Sequence, residues 1–392
     1  IPGTSLSDGP AGIRITLRPS GFTDSQGNPT IRAATWWPNG AARASTWNTE
    51  LQEQMGVAWG KEMYFFGNDL LLGPGANIHR HVLNGRNFEY YSEDPLLSGK
   101  TGAAEVRGIQ SEGVGATIKH YAANNQETGR NNLPTTISKR ALREIYLKSF
   151  EYVIRESQPW AVMTAYNQIN GVSTAQDYAL ITKILRDEWG FEGFVMTDWG
   201  GQGNASYWPA QAGNNAYSSL VKAGNDVCEP RGNANNVMAG LQAGFITEED
   251  IDACVRRILE YIIKTPSFKG QPLSTEPNPY ADENEAIAFN VSVESMVLLK
   301  NNTVGGKPAL PITSGNIATI GNATSSLVLG GTGSGSVNAD SSRFVQIVPA
   351  LRSIYKGGEI IDATTLGYAQ VSGEMQPTEA QMTDLVNQVG SV

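Results

Sequence analysis

Gly193-Phe-Val-Met-Thr-Asp-Trp-Gly-Gly201 reads as an apolar strand that ends on a carboxylate, Asp198, and runs into a glycine loop. In parallel α/β folds the carboxyl ends of the strands form the edge where chemistry is done. A carboxylate there can attack a sugar carbon, bind a metal or cap a loop, and its neighbours have to decide. Outward from this strand, short apolar runs alternate with amphipathic helices as far as residue 265. Further strands are predicted over Asp69–Gly73, Val114–His120, Ala161–Tyr166 and Asn225–Cys228, and Ile1–Leu6 reads as a strand entering a Ser-Asp-Gly-Pro loop. Helices are predicted near 94–110, 139–157, 177–189, 217–224 and 248–265, the last capped by Thr247. The helix before Asp69 opens on a Thr49/Gln52 capping-box pattern and carries Leu51, Met55, Ala58, Trp59 and Met63 on one face. Repeated βα units of this spacing argue for a parallel sheet with helices outside it, and their count fits a TIM-like (β/α) barrel over residues 1–265.

A Pro/Ser/Asn-rich linker covers 266–281. Beyond it a helix over 282–296 leads into a strand Val297–Lys300, with further strands at Ile317–Gly321 and Gly358–Asp362 and helices near 349–355 and 378–389. This reads as the first part of an α/β sandwich domain over 282–392. An open sheet with so few strands would be poorly covered, so the domain is expected to continue past Val392. The abrupt entry into the first strand leads to the expectation of a further segment ahead of Ile1.

The 392 residues suffice for two or three domains, and the net charge of −9 with no basic run disfavours nucleic acid as a partner. No apolar stretch reaches the about 18 residues of a membrane-spanning helix. Two cysteines, Cys228 and Cys254, do not make a disulfide framework. Of eight tryptophans, Trp36, Trp37, Trp199 and Trp208 stand in segments that read as loops, where sugar rings stack. Packing is the commoner role for any one of them. His79, His81 and His120 are the only histidines, and the alternation of His79 and His81 along an extended chain points them to opposite faces, which disfavours a metal site.

The motifs around Asp198 are specific. They are Ser7-Asp-Gly-Pro-Ala-Gly-Ile-Arg14, Gly85-Arg-Asn-Phe-Glu-Tyr-Tyr-Ser-Glu-Asp-Pro95, Lys119-His-Tyr-Ala-Ala-Asn-Asn-Gln-Glu-Thr-Gly-Arg130, Thr164-Ala-Tyr-Asn-Gln-Ile-Asn-Gly171 and Val297-Leu-Leu-Lys-Asn301. In this order, and with the Asp198 stretch, they resemble glycoside hydrolase family 3 on its β-glucosidase side, from the first residues to about Tyr355. The resemblance implies that Asp198 is the nucleophile. It implies that Lys119, His120, Arg130 and Arg86 bind sugar hydroxyls, that Asp8 accepts hydrogen bonds from the far hydroxyls of glucose, and that Tyr166 sits near the nucleophile. Trp199 belongs to the same substrate-binding set. The segment Gly330-Gly-Thr-Gly-Ser-Gly-Ser336 lacks the lysine of a P-loop. A similar glycine-serine segment of the family approaches the active site, which makes Ser334 a candidate. Where the N-acetylglucosaminidase branch has a Gly-His-Asp loop, this chain has Ala122-Ala-Asn-Asn-Gln-Glu127, and that branch is disfavoured.

The family's acid/base is a glutamate of the second domain, and its position falls past Val392. Glu359, Glu374 and Glu379 stand in the wrong surroundings, while Glu89 and Glu127 match loop-supporting positions. The missing proton donor is therefore expected from the remainder of the sandwich domain, as a continuation or a second polypeptide. No metal or organic cofactor is implied, and homo-oligomerisation is left open. The expected activity is retaining hydrolysis of terminal β-D-glucosyl units. The alternatives are a β-xylosidase or α-L-arabinofuranosidase of the same family, and a non-catalytic sugar-binding protein on the same fold.

Overall fold

A computed structural model of the chain describes residues 2–15, 26–27, 32–131, 133–204, 207–304, 306–324, 326–371 and 373–389. Two compact units divide it: Ile1–Met296 with Gly330–Ala339, and Val297–Leu329 with Asp340–Val392.

The first unit is built on a five-stranded, wholly parallel sheet in the order Leu6–Asp8, Leu70–Leu72, Gly115–Tyr121, Ala161–Thr164 and Phe194–Met196. Leu70–Leu72, Ala161–Thr164 and Phe194–Met196 are short and bear apolar side chains on both faces, as strands covered on both sides require. Leu71, Ile118, Val162 and Val195 pack into one core with Met55, Trp59 and Met63 of helix Thr49–Phe65, Val106 and Ile109 of helix Pro95–Ser111, and Phe150 and Val153 of helix Lys148–Ser157. Leu70, Leu72, Met163, Phe194 and Met196 face the other way and meet Tyr261 of helix Glu248–Ile262. Every pairing in the sheet is parallel, so all five carboxyl ends lie on one edge.

Several local expectations change. The chain at Ile317 and Thr247 follows its prediction, the latter as a full capping box with Asp250. The helix at 49 is capped instead by Asn48, whose Oδ1 accepts from the Leu51 amide at 3.0 Å, while Gln52 donates to Thr46. Asn225–Cys228 forms only an isolated parallel bridge, Met196 to Val227. There the Asp226 carboxylate intrudes: Oδ2 accepts the Val195 amide at 2.8 Å, and Arg186 and Arg257 clamp the same side chain at 2.9 and 2.6 Å. The segment 139–157 is interrupted by a π-helical stretch, Leu142–Tyr146, and Ala179–Glu188 is π-helical throughout. Helix Ala234–Gln242, capped by Asn233, lies outside the predicted elements, although Val237, Met238 and Leu241 recur at helical spacing. Trp37 is core, packed on Trp59 with ring centroids 6.1 Å apart.

Residues 266–281 are tied to the first unit. Asp69 accepts from the Ser267 amide and hydroxyl at 2.8 and 2.7 Å, and Asn278 donates to Glu62. Helix Ala281–Glu294 follows, and its Asn284 donates to Thr35 at 2.9 Å. The predicted strand Val297–Lys300 is irregular chain with Leu299 91% exposed. An apolar run becomes a strand only where a partner offers a ladder, and among the described residues none runs beside it. Within the second unit Ile317–Thr319 pairs in parallel with Ile360–Asp362, and helices Ile347–Ile354 and Glu379–Val389 accompany them.

Glu62 is fully buried, and among the described residues no cation stands beside it. Its Oε1 accepts from the Thr35 amide and hydroxyl, both at 2.8 Å. Burial raises its carboxyl pKa to about 7, against the donors from Thr35 and Asn278. A carboxyl that binds its proton more tightly when folded stabilises the fold at low pH, and that contribution is lost as pH rises from 4.5 through about 7. Glu62→Gln should remove this dependence, worth about 3 kcal/mol over the interval. Melting temperature measured against pH should be flatter across that window in the variant, and identical slopes would show that Glu62 does not titrate there.

Candidate active site

A cleft of about 780 Å³ opens at the carboxyl edge of the sheet. Every strand but one delivers a side chain to it directly. Asp8 ends the first strand and Lys119 and His120 come from the third. Tyr166 follows the fourth, and Asp198 the fifth. Strand alternation alone would put Lys119 and His120 on opposite faces. Here the pairing with Ala161–Thr164 shifts register between Ile118 and Tyr121, and both side chains reach the cleft.

The first loop is held tightly. Gly9 has φ +149°, and a Cβ there would lie 1.6 Å from the Gly12 carbonyl oxygen, so only glycine closes this turn. Arg43 donates to the Pro10 carbonyl at 2.6 Å, fixing the loop that presents Asp8. Asp8 pairs with Arg14 at 3.4 Å, and Arg14 also donates to the Gly333 carbonyl at 3.2 Å. Arg14 lines the cleft although sequence reasoning assigned it no role; its place at the end of the Ser-Asp-Gly-Pro-Ala-Gly-Ile-Arg motif was the available signal.

Asp198 is 9% exposed. Its Oδ1 accepts the Trp199 amide at 2.7 Å, whereas Oδ2 is buried without a hydrogen-bond partner among the described residues. Oδ2 lies 3.6 Å from His120 Nε2. Burial, then the charges of Arg86, Lys119 and Arg130, hold the His120 pKa well below the usual range. Arg86 Nη2, which can only donate, lies 2.8 Å from Nε2, so that nitrogen carries no proton and the pair is not a salt bridge. The Tyr166 hydroxyl donates to the Trp199 carbonyl at 2.8 Å and lies beside Asp198. Burial and the Asp198 charge push the Tyr166 pKa upward.

Glu89 lies between two cations, bonded to Arg86 Nε and 3.9 Å from Lys119 Nζ. The Lys119 ammonium is buried, with no closer ion pair among the described residues; burial lowers its pKa, opposed chiefly by Glu89. Glu127 binds Arg130 at 2.7 Å, and the Arg130 guanidinium lies 4.4 Å from the Tyr166 ring centroid. Each cleft carboxylate other than Asp198 is thus engaged by a cation.

Residues Gly330–Ala339 belong to this unit and close one side of the cleft. Gly331 and Gly335 lie flat on the Phe88 ring, where an added Cβ would come within 2.1 and 2.4 Å of ring carbons. That contact carries Ser334 to Arg86, whose Nη2 donates to the hydroxyl at 3.3 Å. Trp199 is 44% exposed at the mouth. Asp8, Arg86, Lys119, His120, Arg130, Tyr166, Asp198, Trp199 and Ser334 all line this one cleft. His79 and His81 stand outside it in irregular chain, not in a strand. Among the described residues no cluster of His, Cys, Asp and Glu could hold a metal ion, and Cys228 and Cys254 are free thiols.

Residues 11–261 match the family model for the N-terminal domain of glycosyl hydrolase family 3. The chain belongs to glycosyl hydrolase family 3. Among its relatives in the family, a β-glucosidase of Ruminococcus albus is 43% identical over 269 residues, covering 68% of this chain and 27% of the relative. An exo-α-(1→6)-L-arabinopyranosidase of Bifidobacterium breve is 38% identical over 320 residues, covering 81% of this chain and 39% of that protein. The structure of β-glucosidase 3B from Thermotoga neapolitana in complex with glucose superposes with a TM-score of 0.81 at 38% identity, covering 97% of this chain and 52% of that one. The family 3 chain described here thus spans less than half the length of either of the two sequence relatives.

Proposed function

We propose that the chain carries the sugar pocket and nucleophile of a retaining β-glucosidase that removes terminal, non-reducing β-D-glucosyl units. The observation that carries this reading is Asp198: a cleft-floor carboxylate at a strand end, with one oxygen anchored and the other buried and unbonded. Oδ2 attacks the anomeric carbon as the glycosidic C–O bond breaks and the leaving oxygen takes a proton. Water then displaces the carboxylate, giving up a proton, and the sugar leaves with its configuration retained. Lys119, Arg86, Arg130, His120 and Ser334 surround the sugar as hydroxyl-binding groups, Asp8 takes the far hydroxyls, and Trp199 offers a stacking face. The proton donor is a carboxylic acid from another part of the protein or a partner chain, because Asp8, Glu89 and Glu127 are each held by a cation. In this reading the parallel sheet belongs to a TIM-like barrel over residues 1–265, and 282–392 opens an α/β sandwich after the 266–281 segment. Incubation with a fluorinated glucoside, followed by mass spectrometry, tests it. The expected result is one adduct per chain on the peptide holding Asp198; turnover without any adduct would exclude a glycosyl-enzyme, and a non-catalytic sugar-binding protein would give neither.

A second reading, hydrolysis of a pentosyl unit, is favoured by the arabinopyranosidase relative. Asp8 separates the two. A hydrogen bond to a charged group contributes about 1.5–3 kcal/mol, so Asp8→Ala should cost roughly ten- to a hundredfold on an aryl glucoside. A xyloside, which lacks the outer hydroxymethyl group, should lose little. Equal losses on both, measured as kcat/KM, would make Asp8 a strut of the first loop instead of a reader of the sugar.

A further inference from the structure

Tyr90 is completely buried and meets His120 from behind. Its hydroxyl lies 3.0 Å from Nδ1 and accepts from Asn124 Nδ2 at 2.9 Å. At the other edge of the imidazole, Arg86 Nη2 lies 2.8 Å from Nε2. A guanidinium can only donate, so Nε2 must accept. The single proton of the neutral ring is then on Nδ1 and is donated to the Tyr90 oxygen. Asn77 fixes the same residue through its backbone, accepting from the His120 amide at 2.7 Å and donating to its carbonyl at 2.9 Å.

The consequence falls on Asp198. Its Oδ2 stands 3.6 Å from Nε2 and has no hydrogen-bond partner among the described residues. With a proton on Nε2, the imidazole would donate toward Oδ2 and occupy the attacking oxygen. A charged ring would bind it more strongly still. With a lone pair there, two acceptors face each other and Oδ2 stays available. We infer that Tyr90 is a positioning residue that acts with Arg86: Arg86 donates to Nε2, Tyr90 accepts from Nδ1, and together they hold His120 as the Nδ1–H tautomer and so keep the attacking oxygen of Asp198 free of hydrogen bonds until sugar enters. This rests on Asp198 being the nucleophile. A sugar hydroxyl entering there finds Oδ2 open as an acceptor.

The other two histidines make the test clean. His79 Nε2 faces the Asn87 and Tyr90 carbonyls at 2.9 and 3.1 Å and must donate. His81 Nδ1 accepts the Leu83 amide at 3.1 Å, which leaves its proton on Nε2 when neutral. His120 should therefore be the one histidine of the 392 residues with a bare Nε2. In the full chain labelled with nitrogen-15 histidine, one ring should show a protonated Nδ1 and unprotonated Nε2 that do not titrate between about pH 5 and 8. That ring should vanish in His120→Gln. An Nε2-protonated or titrating His120 overturns the inference without any further variant being made.

Tyr90→Phe keeps the ring and removes the acceptor. It should leave the Nδ1–H without an acceptor, shift the His120 ring nitrogen resonances, and lower kcat/KM for dinitrophenyl glucoside, which reports formation of the glycosyl-enzyme, by about tenfold. Unchanged nitrogen shifts, or a normal kcat/KM, would remove Tyr90 from this role. Failure of the nucleophile assignment itself would look different: no adduct on Asp198, with the His120 tautomer as expected.

Discussion

Replacing Asp198 by asparagine lowers turnover of a β-glucoside by at least about a thousandfold and leaves the fold intact. The expectation has two halves, and the geometry supplies both. Asparagine keeps the oxygen that accepts the Trp199 amide, so the loop after the strand loses nothing. Oδ2 makes no hydrogen bond among the described residues, so changing it to an amide breaks none of them. Removing a buried charge from a site only 9% exposed also removes a desolvation cost. The melting temperature should therefore be equal or higher, while the carboxylate that forms the covalent intermediate is gone. Asp198→Gly should regain part of its activity with added azide and yield the opposite anomer, because the small anion attacks from the vacated side. Steady-state rates, melting curves and the configuration of the azide product check these together. Near-normal turnover in Asp198→Asn would end the assignment.

The site was legible to the extent that it is written in strand ends. Asp8, Lys119, Tyr166 and Asp198 each lie at or just past the carboxyl end of a parallel strand, and a one-dimensional pattern suffices to place them on one edge. Two features lie beyond such a pattern. Lys119 and His120 are sequence neighbours that a regular strand would separate, and only the register shift between Ile118 and Tyr121 brings both inward. The network behind His120 joins Asn77, Arg86, Tyr90 and Asn124, and no local period relates those positions. A buried Tyr in Asn87-Phe-Glu-Tyr90 looks like any core aromatic until its hydroxyl is seen against an imidazole.

The same limit explains the fold-level differences. Apolar runs marked most strands of the first unit, since burial on both faces leaves a nearly continuous apolar signal. The signal cannot say whether a ladder partner is present. Asn225–Cys228 has the backbone neighbours of a strand but surrenders part of its pairing to the Asp226 side chain. Val297–Lys300 has the composition of a strand and, among the described residues, no partner. Caps were misread by a single residue, Thr49 for Asn48, because both types accept from an N-terminal amide and only geometry chooses between them.

Arg43→Met destabilises the first unit by about 3–5 kcal/mol, because it strands a buried carboxylate. Arg43 and Glu105 have fully buried side chains joined at 2.7 Å, and the Tyr91 hydroxyl donates to the same Glu105 oxygen at 2.7 Å. The guanidinium also lies 5.7 and 5.4 Å from the ring centroids of Trp59 and Tyr91, so methionine fills the space while leaving the charge uncompensated. Burial already raises the Glu105 pKa, with Arg43 pulling it back; without Arg43 the shift is larger. A carboxyl whose folded pKa is raised stabilises the fold at low pH and loses that contribution as pH rises. The deficit of Arg43→Met relative to the parent should therefore be smaller at about pH 5 than at about pH 8. Adding Glu105→Leu should restore most of the stability at the higher pH, since the unpaired charge has gone too. Function should not return with it. Arg43 also holds the Pro10 carbonyl at 2.6 Å, and that bond fixes the loop presenting Asp8. The double variant should fold yet show a raised KM on glucosides, and a normal KM would mean that Gly9 and the Arg14 contacts hold the loop by themselves. A deficit that ignores pH, or one below about 1 kcal/mol, would show that Glu105 is neutral in the parent protein.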